Sequence, residues 1–273
     1  MSEIIFLCAD GGAEVEEEEF DLLVGCDGIG SRVKVLGFPQ ADAAVDSGIR
    51  VVFCVSPNPV RPADTQSEFH QWLGDGCYCL SASYGALGGG VSDVLALCYT
   101  SDEAASENAG WVDNAQLKAQ VVRRLQQAAM PQELIDLAEI ASRCYETPVF
   151  FRNPSLGWST GGCVSLAGDA AHAMPPFLGQ GANQAICDAY TLAREIKQVG
   201  ARNENVAEAL RAYERKRIFP VARLLLNSRI LGFLETQSGA GALFRDAFFF
   251  VTGKLGIAKK VFLDGAVPRG IDK

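Results

Sequence analysis

The stretch Gly168-Asp169-Ala170-Ala171-His172-Ala173-Met174-Pro175-Pro176-Phe177-Leu178-Gly179-Gln180-Gly181-Ala182-Asn183-Gln184-Ala185 decides the fold. It follows the apolar run Cys163-Val164-Ser165-Leu166-Ala167, which reads as a buried strand. Gly168-Asp169 ends that strand and leaves a carboxylate at its C-terminal edge, where open α/β sheets bind ligands. Pro175 and Pro176 stiffen the turn, because proline fixes φ and has no N–H. Gly179 and Gly181 remove side chains where a ligand would press on the backbone. A helix is expected over 182–199, with Ala185, Ala189, Leu192 and Ile196 on one stripe. Its N-terminus presents free N–H groups and a partial positive charge, which suit an anionic or electron-rich group. Asp169 is an acceptor suited to holding the hydroxyls of a polyol.

The rest of the chain narrows the class. Its 273 residues suggest about two domains. With 48% apolar and 21% charged residues it is not a disordered chain. A net charge of −9 argues against a nucleic-acid partner and against general attraction to anionic membranes. The most apolar C-terminal stretch, 242–263, is interrupted by Arg245, Asp246, Lys254, Lys259 and Lys260, so no transmembrane segment is expected. The N-terminus lacks the charge and length of a signal peptide, and a cytoplasmic location is the default. Nine cysteines, none in a C-x-x-C pair, and two histidines make a metal site unexpected; buried reduced thiols are the favoured reading.

Upstream, residues 4–8 read as a buried strand, Asp10-Gly11-Gly12 as its turn, and Glu16 to Glu19 as a solvated acidic loop. Residues 20–25 read as a second strand leading into Cys26-Asp27-Gly28-Ile29-Gly30-Ser31-Arg32, with Ser31 placed to N-cap a short helix. The pattern then changes: 49–55, 77–83 and 91–99 read as antiparallel strands. Helices follow near 114–128 and 131–142, and a strand at 145–151. Two further helices are expected, over 206–234 with an interruption at Pro220 and over 243–252.

Other side chains are weighed more lightly. His172 lies inside the decisive stretch, where turn structure is preferred over a general base. His70, beside Trp72, reads as a loop histidine. Cys77 and Cys79 are read as alternating across their strand, one of them facing a pocket, with packing favoured for the pair. Phe53, Trp72, Tyr78, Leu80, Tyr84, Leu97 and Tyr99 are candidates for a pocket lining or for core. No catalytic residue is assigned.

The run from Gly168 closely resembles the second flavin motif of the class A FAD-dependent flavoprotein monooxygenases, the family of salicylate hydroxylase, para-hydroxybenzoate hydroxylase and zeaxanthin epoxidase. Asp188 matches that motif's downstream Asp, residues 21–34 resemble the family's Asp-Gly motif centred on Asp27-Gly28, and Tyr213-Glu214-Arg215-Lys216-Arg217 resembles its arginine-rich helix. The resemblance implies FAD as cofactor, NAD(P)H as reductant, O₂ activation at the flavin C4a, and hydroxylation or epoxidation of an aromatic or other hydrophobic small molecule. It implies that Asp169 holds the ribityl hydroxyls. The N–H groups around Gly179, Gln180, Gly181, Ala182 and Asn183 would face the flavin ring, Pro176 would border it, and Asp27 and Gly28 would serve the pyrophosphate side. Arg32 is either a brace between the motifs or a surface residue.

The implied fold class is α/β, α+β overall: an incomplete FAD-binding Rossmann-like domain with an inserted antiparallel-sheet substrate domain and C-terminal helices. The expected divisions are 1–44 and 156–200 for the FAD-domain portions, 45–155 for the substrate domain and 201–273 for the helices. The family's opening strand–GxGxxG–helix has no counterpart in this sequence, so the chain is expected to be N-terminally truncated and to hold FAD weakly. Two other readings stand beside the enzyme: a non-catalytic remnant that binds a partner, and a related flavin reductase. A missing N-terminal segment would also leave an organelle open as the location.

Overall fold

In a computed structural model of the chain, the structure describes residues 2–6, 16–38, 40–58, 69–85, 91–101, 115–202, 205–257 and 260. Among the described residues the chain forms two compact units. One takes its described residues from 2–45 and 150–229, the other from 46–149 and 230–260.

In the first unit, β1 (Ser2–Phe6) pairs antiparallel with β2 (Glu16–Phe20). The acidic run is therefore a strand rather than the expected loop, because a regular ladder to 2–6 overrides the poor strand propensity of glutamate. The expected turn at Asp10-Gly11-Gly12 lies outside the described residues. The expected strand 20–25 is divided: β2 ends at Phe20, and β3 (Leu23–Gly25) begins after it. Next comes α1 (Arg32–Gly37), capped by Ser31 as its sequence suggests, with the Ser31 side chain accepting from the Lys34 N–H.

This unit resumes with the short β9 (Ser159–Thr160) and with β10 (Val164–Leu166), which pairs parallel with β3 and antiparallel with β9. From β10 the chain enters a single helical turn, α4 (Asp169–His172), then a 3-10 turn at Pro176–Leu178 and the long α5 (Gly181–Arg202). Helix α6 (Val206–Glu235) runs unbroken through Pro220. Proline removes one hydrogen bond there, but Leu210, Tyr213, Arg217, Val221 and Leu225 form a fully buried stripe on both sides of it. The core gathers Trp158, Leu166, Ala170, Ala171, Leu192, Leu210, Tyr213 and Val221.

The second unit is built on a five-stranded sheet in the order β5-β6-β7-β4-β8. Its strands are β4 (Val45–Asn58), β5 (Phe69–Gly74), β6 (Cys77–Gly85), β7 (Val91–Thr100) and β8 (Arg143–Phe151). Strand β5 replaces the loop expected around His70, pairing Trp72 with Cys79 across the β5–β6 hairpin. Helices α2 (Ala115–Gln127) and α3 (Gln132–Glu139) supply Leu117, Val121, Leu125, Leu134 and Ile135 to the unit's core with Val52, Cys54, Leu95, Leu97 and Tyr99. Cys77 and Cys79 both belong to this core. Residues two apart on a strand share a face, so neither is turned to an opposite side, and the packing reading holds. Leu97 and Tyr99 are core as well, whereas the side chain of Tyr84 lies outside the described residues. Helix α7 (Ala240–Lys254) is the last element of this unit among the described residues.

Candidate functional site

The decisive stretch lies wholly within the first unit, and its geometry follows from one buried carboxylate. Asp188, on the second turn of α5, is fully buried. Its Oδ2 accepts the backbone N–H of Gly168 at 2.9 Å and meets His172 Nε2 at 2.5 Å. Its Oδ1 accepts from Arg217 Nε at 2.8 Å. Arg217 also donates through Nη2 to the Gln184 carbonyl and to Gln184 Oε1. Burial pushes the Asp188 carboxyl upward. The hydrogen bond and charge of His172 and the Arg217 guanidinium outweigh that effect and hold it below the ordinary carboxylate range. The strand end, α4, α5 and α6 are thus pinned at a single point.

That point sets the place of Asp169. Gly168 has φ +59°, a conformation that L side chains rarely adopt, and a Cβ there would stand 3.2 Å from the Ala185 Cβ. The turn brings the next residue, the exposed Asp169, to the start of α5: a Cβ on Gly181 would lie 4.0 Å from Asp169 Oδ1. The first intrahelical bond of α5 is the Gln184 N–H to the Gln180 carbonyl, so the N–H groups of Gly181, Ala182 and Asn183 precede the ladder and are available outward. Asp169 and this helix terminus border an open groove of about 760 Å³. Its walls include Val24, Cys26 and Gly28 from the end of β3 and the loop after it, and Ala185, Ile186 and Ala189 from α5.

The structure brings Gly28, Asp169, Gly181 and Ala182 together on the groove. Pro176 and Gly179 are exposed on the turn before it, and Asn183 is exposed on the first turn of α5. Gln180 is buried, with Nε2 donating to the Leu178 carbonyl and Oε1 accepting from Asn183. Asp27 caps α1: its Oδ2 accepts the N–H groups of Arg32 at 2.6 Å and Val33 at 3.2 Å. Partial burial raises its pKa, but the Ser31 side chain and those N–H groups prevail and lower it.

The sequence reading missed the bracing cation. Arg32 is exposed, whereas Arg152, 3% exposed, donates to the carbonyls of Asp42 and Ile29 and so holds the loop that follows Asp27. The Arg152 N–H in turn bonds the Ala173 carbonyl of the decisive stretch. The signal for Arg217 was legible: it falls on the same helical stripe as Leu210, Tyr213 and Val221, a position that an unpaired arginine would not occupy.

The donor set fits a flavin dinucleotide. A carboxylate for hydroxyls, free helical N–H groups and glycines on a groove that apolar side chains line are what such a molecule requires. Among the described residues no group of three or more His, Cys, Asp or Glu could hold a metal ion.

Comparison with known proteins agrees with this chemistry. The chain matches the FAD binding domain family over residues 10–228. It is 31% identical over 231 residues to 3-hydroxybenzoate 6-hydroxylase 1 of Aquipseudomonas alcaligenes, covering 82% of this chain and 54% of the relative. It is 29% identical over 265 residues to the chloroplastic zeaxanthin epoxidase of Prunus armeniaca, covering 92% of this chain and 38% of the relative. Among solved structures, Klebsiella pneumoniae HpxO complexed with FAD and uric acid shares the fold, with a TM-score of 0.70 at 19% identity over 96% of this chain and 64% of that one. The chain therefore spans about half or less of the length of these curated relatives. With most of its residues matched, the chain belongs to the FAD binding domain family.

Proposed function

We propose that the chain is the FAD-holding and substrate-covering part of an NAD(P)H-driven monooxygenase that hydroxylates or epoxidises an aromatic or other hydrophobic small molecule with O₂. The observation that carries the reading is the meeting of Asp169 with the open N-terminus of α5 on the 760 Å³ groove. Asp169 would hold the ribityl hydroxyls, while the N–H groups of Gly181, Ala182 and Asn183 would face the electron-rich edge of the flavin ring. When bound, the flavin supplies electron transfer from the nicotinamide and the activation of oxygen.

The chain's own residues do the rest. The helix terminus offers fixed N–H dipoles that favour negative charge at the groove, an arrangement that needs no reorganisation during reaction. Ser228 Oγ donates to the Pro175 carbonyl at 2.5 Å and holds the Pro175-Pro176 wall in place. Gly28 leaves the opposite wall without a side chain where the pyrophosphate would pass. The names of the relatives, a hydroxybenzoate hydroxylase and a zeaxanthin epoxidase, support an unsaturated hydrophobic substrate. We also place the protein inside the cell. All eight cysteines among the described residues are thiols, including Cys54 and Cys144 with sulfurs 3.4 Å apart, which accords with a reducing compartment.

The test is a fluorescence titration of FAD with the purified chain and with Asp169→Asn. The expected result is quenching by the wild type and at least tenfold weaker binding by the variant, roughly the loss of one charged hydrogen bond. Equal binding by both would remove Asp169 from the site. Binding by neither would overturn the reading that the chain holds FAD at this groove.

A further inference from the structure

Helix α7 is apolar on the side that faces away from its own fold. Its inner side carries Ala242 and Arg245, 7% and 1% exposed. Arg245 Nη1 donates to the carbonyls of Gly74 at 2.8 Å and Glu235 at 3.3 Å, and the Gly239 N–H donates to Asp75 Oδ1 at 2.7 Å. The N-terminal half of α7 is thereby fixed to the β5–β6 turn. The opposite arc holds Leu243, Phe244, Phe248, Phe250 and Val251, between 41% and 73% exposed, and Leu255 follows at 69%. A surface helix ordinarily turns its apolar face to the core and its charges to water; α7 reverses this.

Charge distinguishes this segment as well. After Asp246, the described residues of this segment carry Lys254 and Lys260 and no acidic residue, in a chain of net charge −9. Lys254 lies within the apolar arc, with its Nζ 4.4 Å from the Phe250 ring centroid. The chain-wide acidity that argues against general attraction to anionic surfaces does not apply to this local patch.

We propose that α7 is an interfacial helix that docks the protein on an anionic lipid bilayer, lying in the plane of the headgroups with Phe244, Phe248 and Phe250 at the acyl boundary. The inference is independent of the flavin site. The position of Lys254 favours lipid over a protein partner. Lysine is depleted from the cores of protein interfaces, whereas at a bilayer its stem lies along apolar surface and its ammonium reaches the phosphates. Docking is monotopic: among the described residues no helix is long and apolar enough to cross a membrane.

The experiment is flotation of the full chain with vesicles of phosphatidylcholine alone or mixed equally with phosphatidylglycerol, alongside light scattering without lipid. The wild type is expected to float with the phosphatidylglycerol vesicles. Binding should fall at least tenfold in the triple variant Phe244→Ser, Phe248→Ser, Phe250→Ser, and severalfold in Lys254→Glu, from the charge term near an anionic surface. Circular dichroism and melting temperature should be unchanged in both, because these side chains are exposed. Absence of flotation, or equal flotation of the triple variant, overturns the proposal. So does a wild-type dimer that the triple variant turns into a monomer without any vesicle binding, which would assign the face to a second copy of the chain.

Discussion

The two units each bury a carboxylate, and they treat it in opposite ways. Asp188 in the first unit is ionised and surrounded: a backbone N–H, an imidazole and a guanidinium all reach it. Glu235 in the second unit is 4% exposed, and its Oε2 is buried without a hydrogen bond. Burial pushes its pKa up to about 8, with Arg245 opposing only in part, so it is held largely neutral at pH 7. One unit keeps a buried charge by paying for it with partners; the other removes the charge. Pinning four elements at one point has a use beside a ligand groove. Burial raises the neighbouring Tyr78 and Cys98, and the carboxylate charge of Glu235, wherever it forms, pushes both further up.

The largest expected effect breaks the paired side of this comparison. Asp188→Asn leaves Arg217 buried without its counter-charge, and urea unfolding should show a loss of about 3–5 kcal/mol. The charge also fixes a pH slope. The folded pKa of Asp188 is depressed, so its contribution is present above the unfolded value and lost as pH falls through the folded one. Acid should therefore weaken the wild type more steeply than the variant. A loss under about 1 kcal/mol would mean that the elements do not depend on this point.

Glu235 should show the opposite sign. Its folded pKa is raised from 4.5 to about 8, so its neutral form stabilises fully below pH 4.5, and that contribution is lost as pH rises toward 8. Glu235→Gln cannot ionise and should be more stable than the wild type by about 1–3 kcal/mol at pH 8, with the difference vanishing near pH 4. Thermal unfolding of the pair across that range measures it. A pH-independent difference would mean that Glu235 has a partner that keeps it charged.

These contrasts explain what the sequence made legible. The strand–turn–helix at Gly168 was readable because proline, glycine and apolar spacing all agree there. Helices α2, α3, α5 and α7 lie near their expected places for the same reason of periodicity. Strand β2 was not readable, because four successive glutamates carry no strand signal and only pairing with 2–6 makes them one. Helix α6 was expected to break at Pro220, since the buried stripe that sustains it is a tertiary fact. The site followed the same rule. Asp169 was visible as a carboxylate at a strand edge, but the closure of Asp188 on His172, Gly168 and Arg217 joins residues up to 49 positions apart in sequence.

The smallest expected effect concerns Asp27 and sharpens what the groove's other wall does. Its carboxylate accepts two N–H groups of α1, the geometry of a helix cap, and it lies exposed beside a loop that Arg152 secures from within. Loss of such a cap costs about 0.5–2 kcal/mol. Asp27→Ala should therefore lower stability by about 1 kcal/mol, and Asp27→Asn, whose side-chain oxygen still accepts, should recover most of it. The lowered pKa means that the cap acts above the unfolded value near 3.8 and fades below it, so the Ala penalty should shrink in acid. FAD titration of the same variants separates the two roles. If both bind FAD as the wild type does, the carboxylate serves α1 alone, and Gly28 supplies the wall by its lack of a side chain. If Asn restores stability but not binding, the charge itself acts on the ligand side.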